Sequence, residues 1–275
     1  MTRLTNTKNG IFLGLGLIIM VIMLFPLYWT IVASFKTDNQ IYAIPPALFP
    51  PTPTFESYIR AFNAEWHQFI SSLIISSGTV VFTVLVATPA AYALAHFRFR
   101  ITVAVIVTLL LAQIIPTVII ANSIYVIFNN IGLLNTYVGL IIVDSSLGIP
   151  FSVLILRAFM QSIPTELPEA ARVDGASDFR TFLAIIVPVS RSAIITAALF
   201  AFLFAWGDFL FALTIITRPG KEPITLGLYQ FMSSFSQQWN DVMATAVIAS
   251  IPAGLLLTLA QRYVAAGLTA GSIKG

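Results

Sequence analysis

Long apolar segments, separated by short polar stretches, dominate the chain. No charged residue lies between Lys8 and Lys36 or between Gln68 and Ala95. A helix needs about 20 mostly apolar residues to cross a hydrocarbon layer about 30 Å thick, and these segments reach that length. The pattern predicts an all-α, polytopic membrane protein with six transmembrane helices in a single domain, residues 1–275. The predicted spans cover about residues 11–35, 69–95, 101–120, 137–160, 192–217 and 242–262.

The third and fourth spans come from one uncharged stretch, residues 101–143, which is too long for a single crossing. Asn129-Asn130, Gly132 and Asn135-Thr136 are typical of a turn between two helices. The stretch is therefore divided at these residues.

Composition supports a membrane protein and excludes several kinds of site. Of the 275 residues, 58% are hydrophobic and 9% are charged, whereas a soluble domain carries about 25% charged residues. The chain has 0 cysteines, which excludes a disulfide framework, a thiolate metal site and a catalytic thiol.

The distribution of Lys and Arg predicts the orientation, because these residues favour cytoplasmic loops. With both termini in the cytoplasm, most of the 14 basic residues lie inside and four lie outside. The inside set is Arg3, Lys8, Arg98, Arg100, Arg157, Arg172, Arg180, Arg191, Arg262 and Lys274; the outside set is Lys36, Arg60, Arg218 and Lys221.

The loop of residues 161–190 between the fourth and fifth spans is rich in charge. Thr165 is predicted to cap a short helix, which should end at Asp174-Gly175 because glycine adopts positive φ readily. Ser177 is predicted to cap a second short helix, so the loop should contain a bent helical pair. The alternative is an amphipathic connector that rests among lipid headgroups.

Residues in this loop resemble the EAA loop of ABC importer permeases, namely Glu169-Ala170-Ala171, Asp174-Gly175-Ala176, Phe182 and Pro188. The segments Gly132-Leu133-Leu134-Asn135-Thr136, Pro150-Phe151, Trp206-Gly207-Asp208-Phe209 and the closing residues 262–275 resemble the maltose-permease-like second subunit of the carbohydrate-uptake branch. Gly207 stands where that family more often has Asn. The resemblance implies that the loop couples the spans to an ATPase through Glu169, Ala170, Ala171, Arg172, Asp174, Gly175 and Ala176.

The resemblance also implies partners and a location. The complex would contain a second permease subunit, two ATPase subunits and an extracytoplasmic solute-binding protein, with membrane lipids around it and no nucleic acid. The chain lacks the Gly-x-x-x-x-Gly-Lys-[Ser/Thr] phosphate loop, so it is expected to be no enzyme and to hold no cofactor of its own, with ATP and Mg bound by the partner ATPases. The expected location is the plasma membrane of a bacterium or archaeon.

Asp144 and Asp208 are the acidic residues within the predicted spans. Intramembrane carboxylates usually face a bundle interior or a cavity. At 1.5 Å per residue the two lie about 10 Å and about 14 Å from the outer ends of their spans, so they are expected to share a layer. Together with Trp206, which could stack on a sugar ring, they are candidates for a substrate pathway; alternatively, each aspartate bonds to a neighbouring helix.

The resemblance implies that the chain is the permease subunit of an importer that moves a sugar or oligosaccharide inward by alternating access. Three alternatives remain open: an ABC permease for a non-sugar solute such as glycerol 3-phosphate, a secondary transporter or channel, and a membrane-embedded enzyme. The last two would need an ion-coupling network or a nucleophile–base pair, and the predicted spans assemble neither.

Overall fold

The computed structural model describes residues 2–97, 100–234 and 238–269. Arg98, Lys274 and the end of the tail that contributes to the family resemblance lie outside these residues. Within the described ranges every regular element is helical, which confirms the all-α fold class. The helices are α1 (Thr2–Ser34), α2 (Asp38–Ile41), α3 (Glu56–His96), α4 (Thr102–Ala112), α5 (Thr117–Ile131), α6 (Tyr137–Met160), α7 (Glu166–Val173), α8 (Asp178–Thr181), a π-helical turn (Phe182–Ile186), α9 (Val187–Val189), α10 (Arg191–Trp206), α11 (Leu210–Ile215), α12 (Ile224–Ser234) and α13 (Trp239–Thr269).

Among the described residues, 4 helices are long and apolar enough to cross a membrane unaided, and 6 spans result if each of two bent pairs counts as one. Thr102–Ala112 and Thr117–Ile131 meet at 99°, and Asp178–Val189 and Arg191–Trp206 meet at 78°. The unbroken candidates are Phe12–Ser34, Glu56–His96, Tyr137–Met160 and Trp239–Gln261.

The range predicted for the third span, 101–120, is not one continuous helix. α4 ends at Ala112 and α5 begins at Thr117, directly after Pro116. Proline lacks an amide N–H and disfavours helical geometry in the residue before it, so the helix breaks before Pro116. The turn predicted near residue 132 is present, because Gly132 ends α5 with a left-handed φ of 73°.

Other boundaries differ from the predicted spans in informative ways. α3 begins at Glu56, well before residue 69, because the polar segment ahead of the apolar run is also helical. The fifth predicted range, 192–217, is divided into α10 and the short α11. α6 covers Tyr137–Met160, the predicted fourth range. Its N-terminus is capped by Thr136, whose Oγ1 accepts a hydrogen bond of 2.9 Å from the amide of Gly139.

The chain divides into two compact units, one formed by residues up to Trp66 and Leu228–Ser250, the other by His67–Gly227 and residues from Ile251 onward. The second unit contains two apolar clusters. One joins α3, α5, α6 and α11 around Leu140 and Phe211, and the other joins α3, α6, the π-helical turn and α10 around Leu156 and Ile186. In the first unit, the buried carboxylate of Asp241 accepts two hydrogen bonds from Arg60, of 2.8 and 2.7 Å.

Candidate functional site

Residues 166–181, named the elbow here, form the predicted bent pair of helices. α7 ends at Val173 with Asp174 as its C-cap, and Gly175 follows with a φ of +82°. The amide of Ala176 donates to the carbonyl of Ala171 (2.9 Å) and that of Gly175 donates to Arg172 (3.0 Å). This pair of bonds is the Schellman ending of a helix, in which glycine meets the positive φ without steric cost. The predicted stop at Asp174-Gly175 is confirmed.

The second arm of the elbow starts as the sequence predicts. Ser177 has extended backbone geometry, and its Oγ accepts a hydrogen bond of 3.3 Å from the amide of Arg180. Across the bend, Arg172 Nε donates to Asp178 Oδ1 at 3.0 Å, and both side chains are exposed. Such an exposed ion pair contributes little to stability, so the backbone bonds set the shape of the elbow.

Thr165 occupies the predicted position directly before α7, but its side chain does not cap the helix. Thr165 already has helical backbone angles, φ −66° and ψ −21°, and its side chain makes no capping bond. Its carbonyl instead accepts the amide of Glu169 at 3.2 Å. The preceding Pro164 carbonyl receives the amide of Leu167 at 3.3 Å, so backbone carbonyls satisfy the first turn in place of the hydroxyl.

Exposure separates the predicted coupling residues into two groups. Ala171 is buried and Ala176 is half-buried, whereas Glu169, Ala170, Arg172, Asp174 and Gly175 are exposed.

Two large apolar side chains absent from the predicted coupling set are also exposed. Val173 is 88% exposed and Phe179 is 71% exposed. The signal available in the sequence was the presence of large apolar residues in a stretch otherwise made of charged and small ones.

The elbow continues directly into the apolar core of its unit. Thr181 is buried at the end of α8, and Ile186 at the end of the π-helical turn packs in the cluster around Leu156. The ring of Phe182 lies 5.1 Å from that of Tyr92 on α3. The elbow is therefore joined through the π-helical turn to α3, α6 and α10 by side chains in contact.

Asp208 lies at the break between α10 and α11, where it serves as a helix cap. Its carboxylate accepts hydrogen bonds from the amides of Phe211 (3.2 Å) and Ala212 (2.9 Å). A carboxylate at this position also suits the positive end of the helix dipole. The hydroxyl of Thr225 donates to the Asp208 carbonyl. These contacts are of the kind expected if the aspartate has a structural role.

Asp144 is in a different situation, in the interior of α6. Its side chain is almost wholly buried, with 2% exposure, and Oδ1 has no hydrogen-bond partner among the described residues.

Trp206 is a core residue in this conformation. Its ring stacks on Phe202 with centroids 5.3 Å apart and meets Phe69 edge-on at 5.7 Å. The ring is buried, so both neighbours would have to shift before a sugar could stack on it.

The side chain of Asn135, which the sequence indicated as part of a turn, holds two loops together. Asn135, with a left-handed φ of 57°, accepts hydrogen bonds at Oδ1 from the amides of Thr217 (2.7 Å) and Arg218 (2.8 Å). The backbone N–H of Asn135 donates to the carbonyl of Ile215 at 3.1 Å. We call this set of bonds the Asn135 clamp; it fixes the start of α6 to the end of α11.

No group of three or more His, Cys, Asp and Glu side chains that could hold a metal ion occurs in the described part of the chain.

Curated relatives with similar sequences are permease proteins. The diacetylchitobiose uptake system permease protein DasC of Streptomyces coelicolor is 32% identical over 255 residues, which is 92% of each chain. The trehalose/maltose transport system permease protein MalG of Thermococcus litoralis is 32% identical over 271 residues, covering 96% of this chain and 97% of the relative.

Solved structures show the same fold. A chain of a bacterial ABC transporter involved in the import of the acidic polysaccharide alginate superposes with a TM-score of 0.80 at 20% identity, covering 95% of this chain and 96% of that one. A bacterial alginate ABC transporter in complex with an alginate pentasaccharide-bound periplasmic protein gives a TM-score of 0.68 at 17% identity, covering 93% and 94%.

The family model described as "Binding-protein-dependent transport system inner membrane component" matches residues 80–270. This range contains the elbow, both intramembrane aspartates and the Asn135 clamp. It also exceeds half of the chain, and the chain therefore belongs to the family of binding-protein-dependent transport system inner membrane components.

Proposed function

We propose that the chain is the membrane-spanning permease subunit of an ATP-driven importer that moves a sugar or oligosaccharide inward by alternating access. The observation that carries the proposal is the elbow, a preformed bent pair of helices with exposed apolar tips, in a chain whose relatives are named as carbohydrate permeases. By this proposal the partners are a second permease, two ATPases that bind ATP and Mg, and an extracytoplasmic solute-binding protein.

The elbow is proposed to dock on an ATPase subunit through Val173 and Phe179, with Glu169, Ala170, Arg172 and Asp174 at the edge of the contact. Burying two exposed apolar side chains would favour the complex. The buried Ala171 is proposed to support the elbow from below. Nucleotide-dependent contacts at the elbow would then shift the population of the spans between two arrangements.

The proposed orientation has both termini and the elbow on the cytoplasmic side, in the plasma membrane of a bacterium or archaeon. It is supported by the excess of Lys and Arg on that side. Arg157, Arg172, Arg180 and Arg191 all lie within or beside the loop of residues 161–190.

Asp144 is the intramembrane carboxylate that we propose for a pathway role, because an oxygen without a partner is available to accept from a sugar hydroxyl. The carboxylate of Asp208 is occupied by two backbone amides, so its contribution is proposed to be the shape of the break. Trp206 would contact substrate only after repacking.

Co-purification of the tagged chain with the products of neighbouring genes, followed by ATPase assays, tests the proposal. ATPase activity should rise with sugar-loaded binding protein, and Val173→Arg should abolish that rise by blocking the docking surface. Gln161→Arg, an exposed position just before the elbow, is the matched control and should retain it. Ala171→Arg is unsuitable as a test. Because Ala171 is buried, arginine there would unfold the elbow instead of blocking its docking surface.

A chain that purifies alone and moves solute in liposomes without ATP would contradict the importer and favour a secondary transporter. A complex stimulated only by a binding protein loaded with a phosphorylated solute would instead support the glycerol 3-phosphate alternative.

A further inference from the structure

The segment that runs from within α2 to the start of α3 has an unusual composition for a segment at the aqueous end of a membrane helix. Residues 39–55 contain no charged side chain and include five prolines, Pro45, Pro46, Pro50, Pro51 and Pro53. We call this segment the proline loop. Large apolar side chains on it are nevertheless exposed, with Ile44 at 95% and Phe49 at 70%.

Specific contacts hold the proline loop against α1. The hydroxyl of Tyr28 donates to the carbonyl of Leu48, and the ring of Phe49 lies edge-on to Tyr28 with centroids 6.1 Å apart. The ammonium group of Lys36 donates to the carbonyl of Ala47 at 2.7 Å and lies 4.4 Å from the centre of the Trp29 ring. The loop is therefore a fixed structure.

These contacts set the level of the loop along the helix. Tyr28 precedes Ser34, the last residue of α1, by six residues, which corresponds to about 9 Å along the axis. Leu48 and Phe49 thus lie beside the last turns of α1 and not beyond its end. One turn before Tyr28, on the same side of α1, Leu24 and Phe25 are also exposed, so the apolar surface continues from the helix onto the loop.

The backbone of the loop is suited to a poorly hydrated setting. Irregular backbone is costly near lipid because its polar groups lose water without gaining partners. Proline carries no amide N–H, so five potential unpaired donors are absent. The carbonyls of Ala47 and Leu48 accept the bonds from Lys36 and Tyr28, which leaves the loop with paired carbonyls at its deepest point.

We propose that the proline loop is a membrane anchor, which inserts Leu48 and Phe49 into the boundary between headgroups and hydrocarbon in the leaflet at the C-terminal end of α1. Aromatic side chains such as Tyr28 and Trp29 are enriched at that boundary. A docking site for a soluble protein would carry a polar rim around its apolar centre, whereas the central residues 43–51 contain no polar side chain. The proposal rests on the proposed function in one respect only, namely that the proposed orientation identifies this leaflet as the extracytoplasmic one.

Because the chain has 0 cysteines, single-cysteine variants can report depth in the intact complex. Phe49→Cys would be labelled with a nitroxide in liposomes, and its collisions with oxygen, which concentrates in lipid, compared with those of a water-soluble nickel chelate. Ile19→Cys, in the exposed middle of α1, and Arg218→Cys, in an exposed loop, are the lipid and water references. Partner subunits would carry no reactive cysteine.

The oxygen-to-nickel ratio at Phe49→Cys should lie between those at Ile19→Cys and Arg218→Cys and exceed the ratio at Arg218→Cys several-fold. A water-like ratio at Phe49→Cys would overturn the proposal, and nickel protection that develops only when solute-binding protein is added would replace it with protein docking. Leu48→Cys repeats the measurement if Phe49→Cys fails to assemble. Reaction of Arg218→Cys with an impermeant maleimide in intact cells tests orientation separately, so failures of topology and of anchoring remain distinguishable.

Discussion

Two helix breaks, the elbow between α7 and α8 and the break between α10 and α11, are capped by similar hydrogen bonds but lie in different surroundings. At the elbow, Gly175 follows the end of α7 and Ser177 caps the start of α8, with most of the side chains exposed. Between α10 and α11 the interruption is capped by Asp208 inside a predicted span. Water can replace a lost cap at the elbow, whereas apolar surroundings cannot. A capping hydrogen bond should therefore contribute more to stability at the break between α10 and α11 than at the elbow.

The largest expected effect follows from removing the cap at Asp208. Asp208→Ala leaves the amides of Phe211 and Ala212 without an acceptor, at a cost of about 2–6 kcal/mol because each of the two buried unpaired donors costs about 1–3. Thermal unfolding of the purified complex would measure the loss. Asp208→Asn keeps one acceptor oxygen and should lose about half as much. Wild-type stability in Asp208→Ala would contradict the capping role.

Asp144→Asn serves as the matched intramembrane control. Since Oδ1 of Asp144 has no partner among the described residues, the amide should leave unfolding almost unchanged. A stability loss comparable to that of Asp208→Ala would mean that both aspartates are structural and would remove the distinction between them.

The Asn135 clamp provides an intermediate case, because Asn135 is only half-buried. Asn135→Ala should destabilise by about 2 kcal/mol, since two amides lose an acceptor and alanine disfavours the left-handed φ. Asn135→Asp keeps the acceptor and should stay near wild type in the same unfolding assay. Equal losses in both variants would show that the acceptor oxygen is unimportant.

At the elbow, Gly175→Ala should cost about 1 kcal/mol, because the positive φ is strained for a residue with a Cβ. No atom outside the local backbone crowds a Cβ at that position, so the cost is conformational only. Unfolding midpoints would measure it, with Gly175→Asn, which tolerates this backbone geometry, as the milder control. A loss as large as that of Asp208→Ala would contradict the comparison.

The smallest effect is expected from the exposed ion pair of the elbow. Asp178→Asn should change stability by about 0.5 kcal/mol or less, since exposed pairs gain little and are screened by salt. The same assay at low and high ionic strength would measure it. A change of several kcal/mol would mean that the pair is buried in the assembled complex, for instance under a partner.

How far the sequence predicted these sites depends on the range of the contacts. The elbow was predicted well because its bonds join residues three to five positions apart, as between Ala171 and Ala176 or Ser177 and Arg180. The break at Asp208 was missed because the apolar runs on both sides of Gly207-Asp208 together have the length of a single span. Pro116 did carry a local signal for the break before α5, but the length of the uncharged stretch was weighted above it.

Contacts between distant residues were beyond sequence reasoning. The partners of Asn135 lie 82 and 83 residues further along the chain, and no local pattern links them. The burial of Trp206 between Phe202 and Phe69 likewise depends on the packing of separate helices. The sequence placed both aspartates within the predicted spans. Only the structure shows that Asp208 caps a helix, whereas Oδ1 of Asp144 has no partner among the described residues.

The Asn135 clamp also has a consequence for synthesis of the chain. Residue 135 leaves the ribosome long before residue 217, which is 82 positions later, so the turn before α6 has to wait for its partner. The elbow needs only residues close to one another in sequence and has no such delay. Chain growth at about 5–20 residues per second leaves several seconds in which the surface proposed for the ATPase is complete while the clamp on α11 is still open.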